Sequence, residues 1–165
     1  MKIKHPYRAT IAVRRNFEYL PLAAVVSDRI FCVHGGLSGE MDDVSKIESI
    51  KRPLDVPESG FIADLLWADP DGDVTGLVQS ERGTGYVFGD DIAEKFLVHH
   101  SFDLICRAHQ VVTDGFEFPF WPKQSVVTVF SAPNYCNAAG NKGAMLSVDD
   151  ELTCSFKIIE PSGKS

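Results

Sequence analysis

Several features that identify particular protein classes are missing from this 165-residue sequence. No run of about 18 or more consecutive apolar residues occurs, so the chain lacks the pattern of a membrane-spanning helix. Its glycines and prolines follow no period and form no low-complexity block, which excludes collagen-like and linker proteins. The net charge of −7 argues against a general nucleic-acid-binding protein, although a local basic spot can still bind a phosphate group.

Paired cysteines and a secretory signal are also missing. The four cysteines, at positions 32, 106, 136 and 154, form no C-x-x-C motif, which disfavours a zinc knuckle. Cys32, Cys106 and Cys154 stand in apolar runs, where a free thiol is usually a small buried side chain. Without a signal sequence, we expect a reducing intracellular setting, in the cytoplasm, the nucleus or both.

Acidic residues are absent from the start of the chain. Residues 1–16 contain five basic residues and no Asp or Glu, so the acidic excess lies in residues 17–165. We interpret the basic start as a solvated extension, with a transit peptide as the alternative. The sequence therefore predicts one domain over residues 17–165, preceded by a basic extension over residues 1–16.

The apolar pattern predicts a mixed α/β fold. The first two thirds of the chain alternate strands and helices, and the last third reads as all-β. The predicted strands are LAAVV, RIFCV, 104–106, 116–120, 126–130 and a hairpin of 144–148 with 152–159. The predicted helices run from Met41 to the stop at Pro53, through FIADLLW with Ser59 as its cap, and from Asp90 or Asp91. Residues 69–85 are predicted to form a loop because they are rich in Asp and Gly.

Two histidines follow predicted strands, and this placement suggests chemistry. His34 follows RIFCV and His109 follows the strand at 104–106, so both imidazoles are expected at the rim of a sheet. Neutral imidazole suits Mn, Fe or Zn, and an arginine such as Arg82 suits a phosphate group. Taken singly, each residue has a simpler interpretation: strand-capping histidines, a solvated Arg82, a packing Tyr135 and an Asx-turn Asp69. Together they are compatible with a metal-assisted phosphoryl hydrolase.

Six strings in order carry a family resemblance: FCVHGGLS, LLWADPDGD, ERGTGYVFG, LICRAHQVV, DGFEF and SAPNYC. The chain resembles the metal-dependent PPP family of serine/threonine protein phosphatases from about residue 17 to residue 161. RPLDVPESG, RAHQVVTDG and CSFKIIEP are most similar to the type 1 branch. The resemblance implies the C-terminal portion of a calcineurin-like metallophosphoesterase domain, a two-sheet β-sandwich with flanking helices whose N-terminal half is missing here.

The resemblance also implies roles for individual residues. His34 and His109 match the two histidine ligands of the second of two divalent metals, which are of the Mn, Fe or Zn type in this family. Arg82 matches a phosphoryl-binding arginine, and Asp69 matches an acidic residue that lines the site. Tyr135 matches a tyrosine on a mobile loop, and Cys136 matches a cysteine that toxins of the microcystin type can attack.

Three further motifs of the family, GD-x-HG, GD-x-VDRG and GNHE, do not occur in these 165 residues. They supply the other metal ligands, the general acid and a second phosphate-binding arginine. By resemblance, we therefore expect a phosphatase that acts on phosphoserine and phosphothreonine proteins. We expect this chain to be inactive on its own. The alternatives are a non-catalytic binding module and a fragment without function.

The binding-module alternative depends on an apolar groove. In the type 1 branch, regulatory subunits with an RVxF-like segment dock in a groove far from the metals, as an added strand at a sheet edge. The matching positions are all apolar here, although ordinary core residues would be apolar too. They are Ile30, Leu104, Phe118, Leu146, Leu152, Cys154 and Phe156. No nucleic-acid or membrane partner is expected.

Overall fold

The structure, a computed structural model, describes residues 15–162. The predicted basic extension over residues 1–16 therefore lies outside the described residues, apart from its last two positions. No helix among residues 15–162 is long and apolar enough to cross a membrane.

A five-stranded sheet forms the centre of the fold, in the order β1-β2-β6-β8-β7. Its three middle strands are parallel, and each outer strand pairs antiparallel with its neighbour. The parallel strands place their carboxyl ends at one edge of the sheet, where ligand sites of α/β sheets usually lie. The strands are β1 (Ala23–Val26), β2 (Ile30–Val33), β6 (Leu104–Arg107), β7 (Phe116–Glu117) and β8 (Val126–Val129).

Two smaller sheets flank this centre. The first has three strands in the order β3-β5-β4, which are Asp69–Pro70, Tyr86–Phe88 and Leu77–Gln79 respectively. The second is the hairpin of β9 (Gly143–Val148) and β10 (Cys154–Ile159). The Ala144 N–H donates to the Phe130 carbonyl at 2.9 Å, so the hairpin is joined to the chain just beyond β8.

Three α-helices and one 3₁₀ turn lie wholly within residues 15–162: α1 (Ser45–Glu48), α2 (Phe61–Trp67), α3 (Asp90–His100) and the turn Tyr135–Asn137. Helix α3 has Asp90 and Asp91 in its first turn and two histidines in its last. This order suits the helix dipole, since acids are favoured at the amino end and bases at the carboxyl end. The predicted start of α3 at Asp90 is confirmed.

The core packs helices against one face of the central sheet. Phe31 on β2 packs against Phe96 of α3, with ring centroids 5.0 Å apart and ring planes inclined by 60°. Leu65 of α2 and Ile105 of β6 are fully buried in the same core. Burial of each such side chain stabilises the fold by about 1.5–3 kcal/mol. This core fixes α2 against the ends of β2 and β6, which is where both predicted metal ligands lie.

Several sequence predictions are confirmed and others are wrong in detail. The mixed α/β class, the β1–β2 pair, the β7–β8 pair and the final hairpin are confirmed. The helix predicted from Met41 to Pro53 is wrong, because only Ser45–Glu48 is helical. Asp43 accepts the Ser45 N–H at 2.8 Å, a local turn that delays the start of the helix.

Two further predictions fail for local reasons. Ser59 does not cap α2, because the residue before the helix is Gly60 with a φ of 88° and no side-chain capping bond. The predicted loop 69–85 contains β3 and β4, whose pairing with β5 depends on tertiary packing and leaves no clear pattern in so short a sequence.

Candidate metal and phosphate site

The two predicted metal ligands lie together at the carboxyl edge of the central sheet. Strands β2 and β6 run parallel and in register, so residues after their last positions meet. The Ala108 N–H donates to the His34 carbonyl at 3.0 Å and ties the two strand ends together. The imidazole centroids of His34 and His109 are 5.1 Å apart, with the ring planes inclined by 65°.

The His109 imidazole has an unusual local setting. Its backbone φ of 60° lies in the left-handed region, which few residues other than glycine adopt. The Trp67 ring packs against it edge to face at 5.2 Å. Its Nε2 atom is buried and has no hydrogen-bond partner among residues 15–162. Because a buried polar atom normally has a partner, this nitrogen is a candidate for a bound ligand.

Both imidazoles are held in the neutral form. Burial lowers the pKa of His109 to about 4, and the nearby cations Arg107 and Arg82 act in the same direction while Asp69 opposes them. Burial and then Arg107 also lower the pKa of His34. A neutral imidazole keeps the lone pair that a metal needs, so the electrostatics of this edge favour metal ligation over a cationic role.

An acidic residue and two arginines form a second group beside the histidines. Asp69 accepts hydrogen bonds from Arg107 Nη2 at 2.8 Å and from Arg82 Nε at 2.6 Å. The Asp69 and Arg107 side chains are 8% and 0% exposed, whereas Arg82 is 42% exposed. Asp69 therefore joins a buried arginine to one that faces solvent.

Arg107 is a central residue that the sequence reasoning missed. Its guanidinium donates to the carbonyls of Gly35 at 2.6 Å and Ala68 at 3.2 Å, and to Gln110 Oε1 at 2.8 Å. Burial lowers its pKa to about 10 while Asp69 opposes the shift, so Arg107 stays charged at neutral pH. The available signal was a charged residue at the end of the apolar strand LIC, where a charge is buried only with partners.

Glycine is required after His34 by close backbone contacts. A Cβ atom on Gly35 would lie 2.4 Å from the Leu66 carbonyl carbon and 2.5 Å from the Trp67 nitrogen. The Gly35 N–H also donates to the Leu65 carbonyl at 2.8 Å. The H-G-G string therefore lets β2 end directly against helix α2, and this contact sets the position of the His34 imidazole.

The predicted site residues are divided between two clefts and one exposed turn. His34 and His109 line a cleft of about 600 Å³ together with Glu58, Trp67 and Thr84. Asp69 and Arg82 line a second cleft of about 490 Å³ with Gln110. Tyr135 and Cys136 are exposed on the 3₁₀ turn, where the Tyr135 ring packs edge to face on Phe130 at 5.2 Å.

Comparison with known proteins identifies the family. The family model for calcineurin-like phosphoesterases matches residues 2–113. The chain belongs to that family. Its fold also matches the structure of a protein serine/threonine phosphatase from Saccharomyces cerevisiae that is described as similar to human phosphatase PP5. The TM-score is 0.87 at 31% identity, and the match covers 98% of this chain and 54% of the yeast chain. The chain thus spans about half the length of that relative.

The residues described here fit a divalent metal only in part. Calcineurin-like phosphoesterases use divalent metals, and the two neutral imidazoles with the unpartnered His109 Nε2 suit one of them. Among residues 15–162, however, no group of three or more His, Cys, Asp or Glu is arranged to hold a metal ion. Within residues 15–162, the candidate site is therefore a pair of neutral histidines beside Asp69 and two arginines.

The low pKa of His109 predicts a pH-dependent stability. The unfolded chain binds a proton near pH 6.5, but the folded chain does not bind it until about pH 4. The free energy of unfolding should therefore fall as the pH drops from 6.5 toward 4. Because the site is partly open to solvent, we expect His109 to contribute on the order of 1 kcal/mol to this loss.

Urea unfolding at several pH values measures this contribution. His109→Asn keeps a residue that tolerates a positive φ, and it should lose less stability on acidification than the unmodified chain. His99→Asn, at an exposed position on α3, is the matched control and should behave like the unmodified chain. Equal acid sensitivity of the His109 variant and the unmodified chain would contradict the prediction.

Proposed function

We propose that this phosphoesterase provides metal-binding and phosphate-binding residues of a protein serine/threonine phosphatase site. The observation that carries the proposal is the His34–His109 pair, two neutral imidazoles 5.1 Å apart at the ends of parallel strands, with one buried nitrogen unpartnered within residues 15–162. The fold similarity to a serine/threonine phosphatase supports the substrate class, phosphoserine and phosphothreonine proteins. The type 1 branch remains our sequence-based prediction.

In this proposal Arg82 binds the phosphoryl group. Its hydrogen bond to Asp69 uses Nε and not a terminal nitrogen, and its side chain is 42% exposed. A guanidinium is planar and can bind two phosphate oxygens at once. Asp69 orients Arg82, and the buried Arg107 in turn holds Asp69. Phosphate binding would therefore depend on the whole chain of contacts from Arg107 to Arg82.

His34 and His109 would hold a divalent metal of the Mn, Fe or Zn type. When bound, such a metal supplies Lewis-acid stabilisation and an activated water for attack on phosphorus. Two neutral imidazoles bring no negative charge to balance two divalent ions, and no carboxylate among residues 15–162 joins them in a metal-binding group. We therefore propose that these residues bind one metal weakly and that the 165-residue chain alone has no turnover.

A combined binding and activity measurement tests this proposal. Mn²⁺ should perturb the imidazole NMR signals of His34 and His109, and His34→Ala should remove the effect at His109. His99→Ala is the control and should leave both perturbations in place. Hydrolysis of a phosphopeptide with Mn²⁺ should not exceed that of a metal blank. Turnover that depends on His34 would contradict the inactivity, and absence of any perturbation would contradict the metal role.

A second candidate function is docking of RVxF-type regulatory subunits, and an aromatic cluster favours it. Phe116 and Phe156 stack with centroids 3.8 Å apart, and Phe118 packs edge to face on both. Strand β10 pairs with β9 on one side, and within residues 15–162 no strand pairs with its other edge. An extended peptide could add to this edge and insert its apolar side chains beside the cluster.

The other predicted groove positions lie in the hairpin, in the turn before β10 and in the central sheet. Leu146 lies opposite Phe156 across the hairpin, and Ile30 lies opposite Leu104 in the central sheet. Leu152 lies in the turn before β10 with a φ of 63°. Cys154, which was predicted to be buried, is exposed because β10 is an outer strand. We propose the groove as a peptide site on the strength of the aromatic cluster and the free strand edge.

Peptide binding measured by calorimetry or fluorescence polarisation tests the docking function. We expect Phe118→Ala to weaken the binding of an RVxF peptide by about tenfold or more, since truncation of an aromatic anchor typically removes more than 1 kcal/mol of binding free energy. Trp121→Ala, at a 71% exposed aromatic outside the cluster, is the control and should bind normally. Binding of a peptide with its Val and Phe replaced by Ala, or no binding by folded protein, would reject this function.

A further inference from the structure

Two free cysteines face each other on the central sheet. Cys32 on β2 and Cys106 on β6 are direct partners in the parallel register. Neighbouring strands lie about 4.8 Å apart, and disulfide-bonded cysteines need Cα atoms about 4.4–6.8 Å apart. Partners in register project from the same face of a sheet.

The strand neighbours on the outer sides of the two cysteines cannot form a disulfide. Across the sheet, Cys32 is flanked by Ala24 on β1 and Cys106 by Val127 on β8. Both cysteines are partly exposed, so a small oxidant can reach them. Cys154 on β10 is also a free, exposed thiol, so a Cys106–Cys154 bridge is the alternative that the experiment must distinguish.

We propose that Cys32 and Cys106 form a reversible disulfide when the chain meets a peroxide. One thiolate attacks a peroxide oxygen, so that an S–O bond forms, the O–O bond breaks, and the leaving hydroxide takes up a proton to become water. The second thiol then attacks the sulfenic sulfur, the S–S bond forms, and the S–O bond breaks with loss of a second water. The two thiols are oxidised and the peroxide is reduced; a thiol reductant reverses the step by exchange.

This modification would join the two strands that carry the histidines. Cys32 stands two positions before His34, and Cys106 stands three positions before His109. A covalent bridge between the strands would restrict the relative motion of the two strand ends. The oxidation state of the two cysteines should therefore alter the surroundings of the His34 and His109 imidazoles.

Peptide mapping by mass spectrometry tests the proposal on the full chain. The folded protein is treated with hydrogen peroxide, free thiols are alkylated, and the digest is read for linked peptides. We expect an intramolecular Cys32–Cys106 pair, loss of two hydrogens from the intact mass, and recovery of both free thiols with dithiothreitol. In urea this pairing should lose its preference, because the proximity comes from the fold.

Matched variants separate the alternatives. Cys136→Ser/Cys154→Ser retains only the proposed pair and should form the same bridge, whereas Cys32→Ser should form none with Cys106. Circular dichroism of each variant checks folding, and the Cys136→Ser/Cys154→Ser chain leaves both strands unchanged. A dominant Cys106–Cys154 bridge, a dimer through Cys136, or complete alkylation of Cys32 and Cys106 after peroxide would overturn the proposal.

Discussion

Replacement of Arg107 by methionine is expected to destabilise the chain by about 3–5 kcal/mol, as is usual when one partner of a buried ion pair is removed. Methionine fills similar space but removes the charge that faces Asp69, whose side chain is only 8% exposed. It also removes the donors to the Gly35 and Ala68 carbonyls. The variant therefore leaves a buried carboxylate and two buried carbonyls with fewer partners.

Urea unfolding of three variants measures this effect. Arg29→Met removes the matching Arg–Asp pair with Asp103, whose side chains are 46% and 56% exposed, and should cost less than about 1 kcal/mol. Arg107→Met/Asp69→Asn should recover part of the loss, since it leaves no buried carboxylate unpaired. Arg82 also loses its bond to Asp69, but its side chain is 42% exposed, so its charge stays solvated. Equal costs for Arg107→Met and Arg29→Met would show that burial of the pair has no energetic consequence.

Gly35→Ala is expected to have the second largest effect, a loss of about 3 kcal/mol at the upper end of the range for overpacking. The added Cβ would lie within 2.8 Å of three backbone atoms of Leu66 and Trp67, and backbone cannot move aside as a flexible side chain can. Strand β2 would have to separate from α2. The hydrogen bond from Gly35 to Leu65 and the bond from Arg107 to Gly35 would then weaken together.

Gly140→Ala is the matched control for this prediction. A Cβ at Gly140 would meet no atom within 4 Å, but its φ is 64°. Gly140→Ala should lower the free energy of unfolding by about 1 kcal/mol, because alanine disfavours the positive φ and no steric clash is added. Thermal unfolding gives both costs, and the His34 NMR signal should shift in Gly35→Ala and stay unchanged in Gly140→Ala. A Gly35→Ala chain as stable as the control would refute the steric argument.

The position of the two histidines at the edge of a sheet could be predicted from sequence, because it depends only on the strands that precede them. His34 and His109 each follow an apolar strand, and parallel strands bring such residues to one edge. Arg107 could not be predicted in the same way, because its importance depends on carbonyls of Gly35 and Ala68 that come from other parts of the chain. Sequence patterns report which face a residue occupies, but they do not report which distant groups surround it.

The prediction of helices and strands failed where the local sequence pattern and the tertiary structure disagree. The apolar residues Met41, Val44 and Ile47 do face the core, yet only one helical turn forms there. The short strands of the three-stranded sheet have two or three residues each and pair across distant segments, so no periodicity could reveal them. Cys154 lies in an apolar run but is exposed on an outer strand.

The parallel pairing of β2 with β6 has a consequence for biosynthesis. The two strands are separated in sequence by both longer helices and by the whole three-stranded sheet. Closing so long a loop has a high entropic cost before its contacts form, so this pairing is expected late in folding. During translation, the chain must emerge beyond His109 before the two imidazoles can meet. The metal that we propose for this pair would meet only separate histidines on a shorter nascent chain, so we expect it to bind after both strands have been synthesised.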